Sequence, residues 1–509
     1  MNSKRLLINI SANIVSFVVS MGINFLLAPY IIKSVGKEAY GFVGLANNFV
    51  SYAQLITLAL NALAVRFITI KIHENDIKEA NKYFSSVTIA NIATSLAMTL
   101  PALLVVIYMN KIVKVPSGIL LDVQVLWALV FLNFLIEIIT STYDVVTFAS
   151  NRLDLSALRS IEANILRVVI LIALFSLFKP NVWYLGISAI VCTLFIFITN
   201  IHYKKILVPN LKIKYMYFDF KIIKELLSSG IWSVVTKLGQ ILSDGLDLLI
   251  SNLFIDASAM GVLAIAKTVP SAISSLLITI SGVFCPQITI YYAQKDKSKL
   301  IHEIKKSMKI SGMFTSIAMS GMIVLGYYFY SLWVPGEDVM YIQILSIITV
   351  LSVVVSGVVN TLFSVFTVVN KLKMNSYVIL GQGILNALLV FIILKTTNLG
   401  LIAVAGVSSI TATIRNLTFV PMYSAKCLGV SKKTFYPTIL NYIFSTFIVT
   451  MGNFIACYSI DKSSWMGLII SGVICVIVGS TLSYITLLNK EEKKFLKEKV
   501  YQLKLKVIN

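Results

Sequence analysis

Ser233, Lys237, Gln240, Asp244, Asp247 and Ser251 follow one another at intervals of three or four residues. That spacing brings side chains onto one face of a helix. An ammonium group and two carboxylates on an otherwise apolar helix suit three tasks: holding an ionic headgroup, forming an ion pair, or carrying a proton. Three neighbouring stretches repeat the pattern with uncharged groups or one cation. Asn9, Asn13, Ser16, Ser20 and Asn24 form one stripe, Asn47, Ser51, Gln54 and Asn61 a second, and Lys267, Ser271 and Ser274 a third. Such stripes build a wettable wall.

Each charge has a functional and a structural assignment. A charge at mid-bilayer costs on the order of 3 kcal/mol by insertion scales, so it faces a cavity or a partner. Asp244 and Lys267 lie at matching depth from the outer ends of their stretches, which predicts that they pair. A purely structural ion pair is the alternative use of both. Lys237 sits mid-helix, one heptad from Asp244, and is the candidate substrate-contacting cation. Glu137 and Arg167 match in depth from the inner turn between their stretches, which predicts a pair locking two helices. Arg66 ends its stretch on the inner side, placed to meet an anionic headgroup or to act as a topology anchor. His73, His202 and His302 fall at or beyond inner span ends, so a transported proton would fall to Asp244, Asp247 or Glu137.

The elements that position these residues follow from composition. Of 509 residues, 58% are hydrophobic and 13% charged, with mean hydropathy +0.88. Soluble domains carry about 25% charged residues, so a soluble globular protein and a disordered one are both excluded. A membrane-crossing helix needs about 20 mostly apolar residues. Fourteen stretches qualify: 6–32, 39–65, 84–109, 121–149, 158–178, 181–203, 225–251, 257–284, 310–333, 339–368, 376–394, 398–420, 437–459 and 465–488. The expected fold is therefore an all-α polytopic membrane protein with no separate soluble domain. The first stretch exceeds the 7–15 residues of a signal h-region and is expected to stay.

A net charge of +21 would suggest a nucleic-acid partner in a soluble protein. Here its position matters more. With the N-terminus inside, 33 of the 43 lysines and arginines fall in inner segments and 7 in outer ones. By the positive-inside rule both termini are cytoplasmic. The outer connections are short, the longest being about 110–120, which leaves no aqueous loop for a membrane-embedded polymerase or ligase. The tail, with Phe495, Val500, Leu503 and Val507 among six lysines, suits a helix lying on an anionic leaflet. The five cysteines, 192, 285, 427, 457 and 475, lack metal-ligand spacing and read as small core residues. No cofactor is implied. Pro29, Pro101, Pro270 and Pro421 lie within spans, where each removes a backbone hydrogen bond.

Shifting the chain by 220 residues aligns spans one and two with seven and eight. Ala39, Gly41, Ala46, Ser51, Ile68, Thr69, Ile70 and Asp76 fall on Ala259, Gly261, Ala266, Ser271, Ile288, Thr289, Ile290 and Asp296. The offset equals six spans, which describes parallel repeats. The expected organisation is an N-lobe (1–205, helices 1–6), a cytoplasmic linker (206–224) and a C-lobe (225–423, helices 7–12). Helices 13 and 14 (437–489) and a basic tail (490–509) follow. The two six-helix lobes are pseudo-symmetric.

The run Pro29-Tyr30-Ile31-Ile32-Lys33-Ser34-Val35-Gly36-Lys37-Glu38-Ala39-Tyr40-Gly41 resembles the first outside turn of the Wzx-type polysaccharide flippases. Asp244 to Ala266, with Asp247 and Gly261, resembles the matching turn of the second lobe. Fourteen spans in twin lobes are likewise similar to that family, within the multidrug/oligosaccharidyl-lipid/polysaccharide exporter superfamily. The resemblance implies a bacterial inner-membrane protein and a cargo of undecaprenyl-pyrophosphate-linked oligosaccharide, carried to the outer leaflet for O-antigen- or capsule-type polysaccharide. It also implies membrane lipids and the polysaccharide polymerase machinery as partners, and no enzymatic step. On this reading Asn13, Asn24, Asn47, Gln54 and Gln240 bond sugar, while Lys237, Lys267 and Arg66 meet pyrophosphate. The related lipid II flippases carry arginines well inside their first two spans; this chain has none there before Arg66, which favours a different repeat unit. A cation-coupled multidrug exporter of the same superfamily is the alternative, although those usually have twelve spans.

Overall fold

The computed structural model describes residues 3–150, 152–369, 371–489 and 493. Side chains of 3–11, 13, 14, 62, 63, 66, 229, 283, 286, 290 and 293 lie outside that description. The expectations for Asn9, Asn13, Arg66 and the 490–509 tail helix therefore fall outside the described residues.

The chain is a succession of helices: α1 (Ser3–Val35), α2 (Lys37–His73), α3 (Ile77–Ile107), α4 (Met109–Ile112), α5 (Leu120–Thr140), α6 (Val145–Ala149), α7 (Leu153–Leu177), α8 (Tyr184–Leu207) and α9 (Phe220–Gln240). These are followed by α10 (Asp247–Phe254), α11 (Ala257–Ala293), α12 (Lys297–Trp333), α13 (Val339–Val368), α14 (Leu372–Thr396), α15 (Leu401–Leu417), α16 (Phe419–Leu428), α17 (Tyr436–Ala456) and α18 (Trp465–Leu487). Among the described residues there is no strand, and 13 helical stretches are long and apolar enough to cross a membrane. The protein is a multi-pass membrane protein. Span seven is not among those 13; there α9 gives way to a π-helical turn at Ile241–Gly245 before α10. Counted with it, the helices match the fourteen expected.

The repeat is visible in local geometry. α2 and α11 both contain 37 residues, and their first and last residues are each 220 apart. At 1.5 Å per residue each is about 55 Å long, well beyond the roughly 30 Å of hydrocarbon. Two residues past each helix stands a left-handed residue, Asn75 at φ 59° and Lys295 at φ 57°. Asp76 and Asp296 come next and cap the following helices, accepting from Glu79 N at 3.1 Å and Lys299 N at 3.0 Å. A capping carboxylate satisfies one of the first-turn N–H groups that have no helical partner.

Backbone proximity divides the chain into two compact units, Met1–Ile265 with Lys373–Val404, and Ala266–Leu372 with Ala405–Asn509. In the first, α2 packs on α9, α3 and α5, while α7 packs on α1 and α8. A buried apolar cluster gathers Leu60, Ile68, Phe84, Val87, Val145, Leu211 and Leu226. The extended segment leading to α9 is tied down by α3. Asn81 accepts from Lys212 N at 2.6 Å, Ser85 from Lys214 N at 3.1 Å and Ser86 from Asp219 N at 2.9 Å.

In the second unit α12 packs on α13, α17 and α18. Small residues let the helices close up, as membrane packing requires. A Cβ on Gly312 would sit 2.7 Å from the Tyr442 ring. Ser316 pairs with Thr446 at 2.6 Å, and Asn453 donates to Ser320 at 2.7 Å. Cys457 and Cys475 are buried side by side with Sγ atoms 3.5 Å apart, both as free thiols.

Candidate functional site

The break in span seven has a sequence origin. Ser243-Asp244-Gly245 is a turn-forming tripeptide: Ser and Asp compete for backbone groups, and Gly relaxes the dihedral limits. The helix responds by widening, and Leu246 N donates to Ile241 O at 3.1 Å, five residues back. Such π-type turns leave neighbouring carbonyls without their usual partners, and in a membrane those must be met from within the protein.

Two other helices meet them. From α2, Asn48 Nδ2 and Tyr52 Oη both donate to Gly245 O, at 3.0 and 2.5 Å. From α14, Asn386 Nδ2 donates to Ser243 O at 2.8 Å, and Gln382 Nε2 donates to Ser243 Oγ at 3.0 Å. The backbones themselves come close, since a Cβ on Gly383 would lie 2.4 Å from Gly239 O. Thr236 and Ser376 share a further bond at 2.8 Å. A side-chain clasp therefore holds the interrupted helix from both sides.

The expected stripe on span seven straddles this break. Ser233 and Lys237 are half-buried on α9, and Gln240 and Asp244 are exposed at its end and in the turn. Asp247 opens α10 with its side chain buried, and Ser251 bonds back to the Asp247 carbonyl at 2.7 Å. On α2, Asn47 is exposed and Gln54 half-buried. Asn61 turns away into the unit, exchanging bonds with buried Asn91, which also donates to Thr142 at 3.1 Å. In the second unit Lys267 is half-buried, and the carbonyl beside it, Ala266 O, accepts from Ser346 at 2.8 Å.

α1 and α7 form a second polar seam. Asn164 Nδ2 donates to Ser20 Oγ at 2.7 Å, and Arg167 Nη1 donates to Asn24 Oδ1 at 3.4 Å. This corrects the expected Glu137–Arg167 pair. Glu137 accepts instead from Asn133, one turn back on α5, at 2.9 Å. Equal depth fixes height along the membrane normal but not direction around a helix axis. α7 packs on α1 and α8, whereas α5 packs on α3 and α8, so consecutive helices in sequence point their charges to different neighbours.

Sequence reasoning missed Asn48, Tyr52, Ser243, Gln382 and Asn386. The Ser-Asp-Gly tripeptide carried the signal for the break. The four donors carry none, because an isolated amide or phenol in a span has no pattern until the break supplies its acceptor. The prolines on the two polar-striped spans, Pro29 and Pro270, lie within continuous helices, α1 and α11.

With this geometry in hand, three comparisons give it a setting. Residues 6–291 match the family described as polysaccharide biosynthesis protein. Over 488 residues the chain is 28% identical to the uncharacterized membrane protein EpsK of Bacillus subtilis (strain 168), covering 96% of each. Its fold is similar to that of the lipid II flippase MurJ in an inward closed conformation, at 18% identity and TM-score 0.67, over 95% of this chain and 100% of that one. It is also similar to an inward-facing multidrug resistance MATE family transporter of the MOP superfamily, at 12% identity and TM-score 0.67, over 84% and 99%.

Proposed function

We propose, from the premise that this chain belongs to the polysaccharide biosynthesis protein family, that it is a flippase for polyprenyl-pyrophosphate-linked oligosaccharide repeat units. It carries them from the inner to the outer leaflet of a bacterial plasma membrane for surface polysaccharide synthesis. One observation carries this reading: span seven is interrupted within its polar stripe, leaving Gln240 and Asp244 exposed beside half-buried Lys237. Broken helices are the usual sites of substrate and ion binding in transporters, because irregular backbone at bilayer depth persists only where protein or a wet cavity satisfies it.

In the proposed mechanism the two lobes, 1–205 and 225–423, rock to expose a hydrated chamber to each side in turn. Asn13, Asn24, Asn47, Gln54 and Gln240 bond sugar hydroxyls. Lys237, Lys267 and Arg66 bind the pyrophosphate, and the polyprenyl tail stays in lipid. Asp244, Asp247 or Glu137 carries any coupled proton. Both termini face the cytoplasm. Flipping requires no covalent step, so the protein is not an enzyme on this reading.

The test is substrate accumulation. Deleting the gene should raise lipid-linked repeat units in the inner leaflet and remove surface polysaccharide, and expression of the intact chain should reverse both. Unchanged lipid-linked sugar together with altered drug tolerance would instead establish a multidrug exporter.

A further inference from the structure

We propose that Arg167, with Asn24, is a binding site for a phosphate-class oxyanion in the seam between α1 and α7. The proposal rests on the flippase reading for its ligand and adds to that reading a contact outside the broken span.

Arg167 lies in the middle third of α7, far from either end of a 25-residue helix. Its guanidinium has five N–H donors in a planar fork. Among the described residues it makes one hydrogen bond, the 3.4 Å contact to Asn24, and its Nε is buried without a partner. It forms no ion pair among those residues.

A charge held at bilayer depth without a partner costs several kcal/mol, and such residues face a partner or a pathway. Snorkelling does not resolve the matter here, because the Nε stays buried and the fork is turned to α1. The repeat sharpens the point. Shifting by 220 places Asn24 on Asp244 and Arg167 on Ala387. The second half thus has an acid where α1 has an amide, and a small apolar residue where α7 has a cation. Arg167 is deprived of the carboxylate that the sequence supplies at the equivalent place.

The missing countercharge is an anion. Guanidinium binds phosphate oxygens bidentately, which matches the donors that remain unused. Asn24 is exposed on α1 beside it and offers an amide N–H to the same ligand. Asn164 and Ser20, bonded to each other one turn away, fix the spacing of the two helices.

The experiment measures binding of inorganic pyrophosphate, and separately of undecaprenyl pyrophosphate, to the full chain in zwitterionic nanodiscs at constant ionic strength. Both should bind, and Arg167→Gln should weaken both by about tenfold or more, the loss expected for a charge-assisted contact. Arg167→Lys should recover part of the loss, and Asn24→Ala should give a smaller one. Loss for the lipid alone would assign the site to the lipid-borne headgroup, and loss for both to the oxyanion itself. Unchanged binding in a folded, monodisperse Arg167→Gln protein would overturn the proposal. If Lys237→Gln abolished binding in that case, the flippase reading would stand without it. Arg167→Glu supplies a second check on a folded protein: pyrophosphate should raise its thermal unfolding temperature less than the parent's, and a ligand-induced rise equal to the parent's would also overturn the proposal.

Discussion

Gly41 and Gly261, equivalent positions in the two halves of the chain, meet backbone to backbone: a Cβ added to Gly41 would lie 3.0 Å from Gly261 Cα. The space at Gly261 is tighter and faces a different residue: a Cβ there would lie 2.6 Å from Lys37 O. Backbone atoms cannot step aside as a side-chain end can. Gly261→Ala should therefore destabilise the protein by about 1–3 kcal/mol, the usual range for overpacking. Gly22→Ala and Gly282→Ala lie inside α1 and α11 and meet nothing within 4 Å, so they should raise the unfolding temperature slightly, because Ala is favoured over Gly in a helix interior by about 0.5–1 kcal/mol. A thermal series in detergent checks all three.

The clasp on the broken helix makes a second prediction. Tyr52→Phe keeps the ring and removes the donor to Gly245 O, and Asn386→Ala removes the donor to Ser243 O. Asn386→Ala should cost about 1–3 kcal/mol, because the Ser243 carbonyl loses its side-chain donor, and Tyr52→Phe should cost less, about 0.5–1.5 kcal/mol, because Asn48 still donates to Gly245 O. The double variant should depart from additivity, since both donors hold one five-residue turn. Additive losses in a double-mutant cycle would mean that the turn does not act as a unit.

Glu137 and Arg167 give the opposite expectation. They belong to separate hydrogen-bonded pairs, Glu137 with Asn133 and Arg167 with Asn24. The stability effects of Glu137→Gln and Arg167→Gln should sum to within about 0.5 kcal/mol. A coupling above that would restore the ion pair expected from depth alone.

For the proposed cavity charges, Lys237→Ala should abolish surface polysaccharide at unchanged protein level. Asp244→Lys should do the same. Normal surface sugar in the Lys237→Ala strain would remove that lysine from the mechanism.

Much of the fold was legible because hydrophobic run length is a direct physical requirement of the bilayer. The repeat was legible for a related reason: a side chain at Gly41 or Gly261 would crowd a facing backbone, and Asp76 and Asp296 cap helices at matched turns, so similar local geometry calls for the same residue at both places. What failed was direction around a helix axis. The depth of Glu137 and Arg167 follows from counting residues, but which neighbour each faces depends on packing between helices far apart in sequence. The clasp escaped for the same reason. Asn48 and Asn386 lie 338 positions apart, and only the break at Ser243-Asp244-Gly245 gives them a shared purpose. Proline drew attention to Pro29, yet α1 continues through it, while the actual interruption is made by Ser, Asp and Gly.

The central claim is tested most directly by reconstituting the purified chain in liposomes with a defined undecaprenyl-pyrophosphate oligosaccharide and reading how much of it an outside, sugar-specific probe can reach. The account predicts a protein-dependent rise in accessible sugar that Lys237→Ala and Arg167→Gln both slow. Accessibility that stays at the level of protein-free liposomes, with the chain folded and correctly inserted, would contradict it.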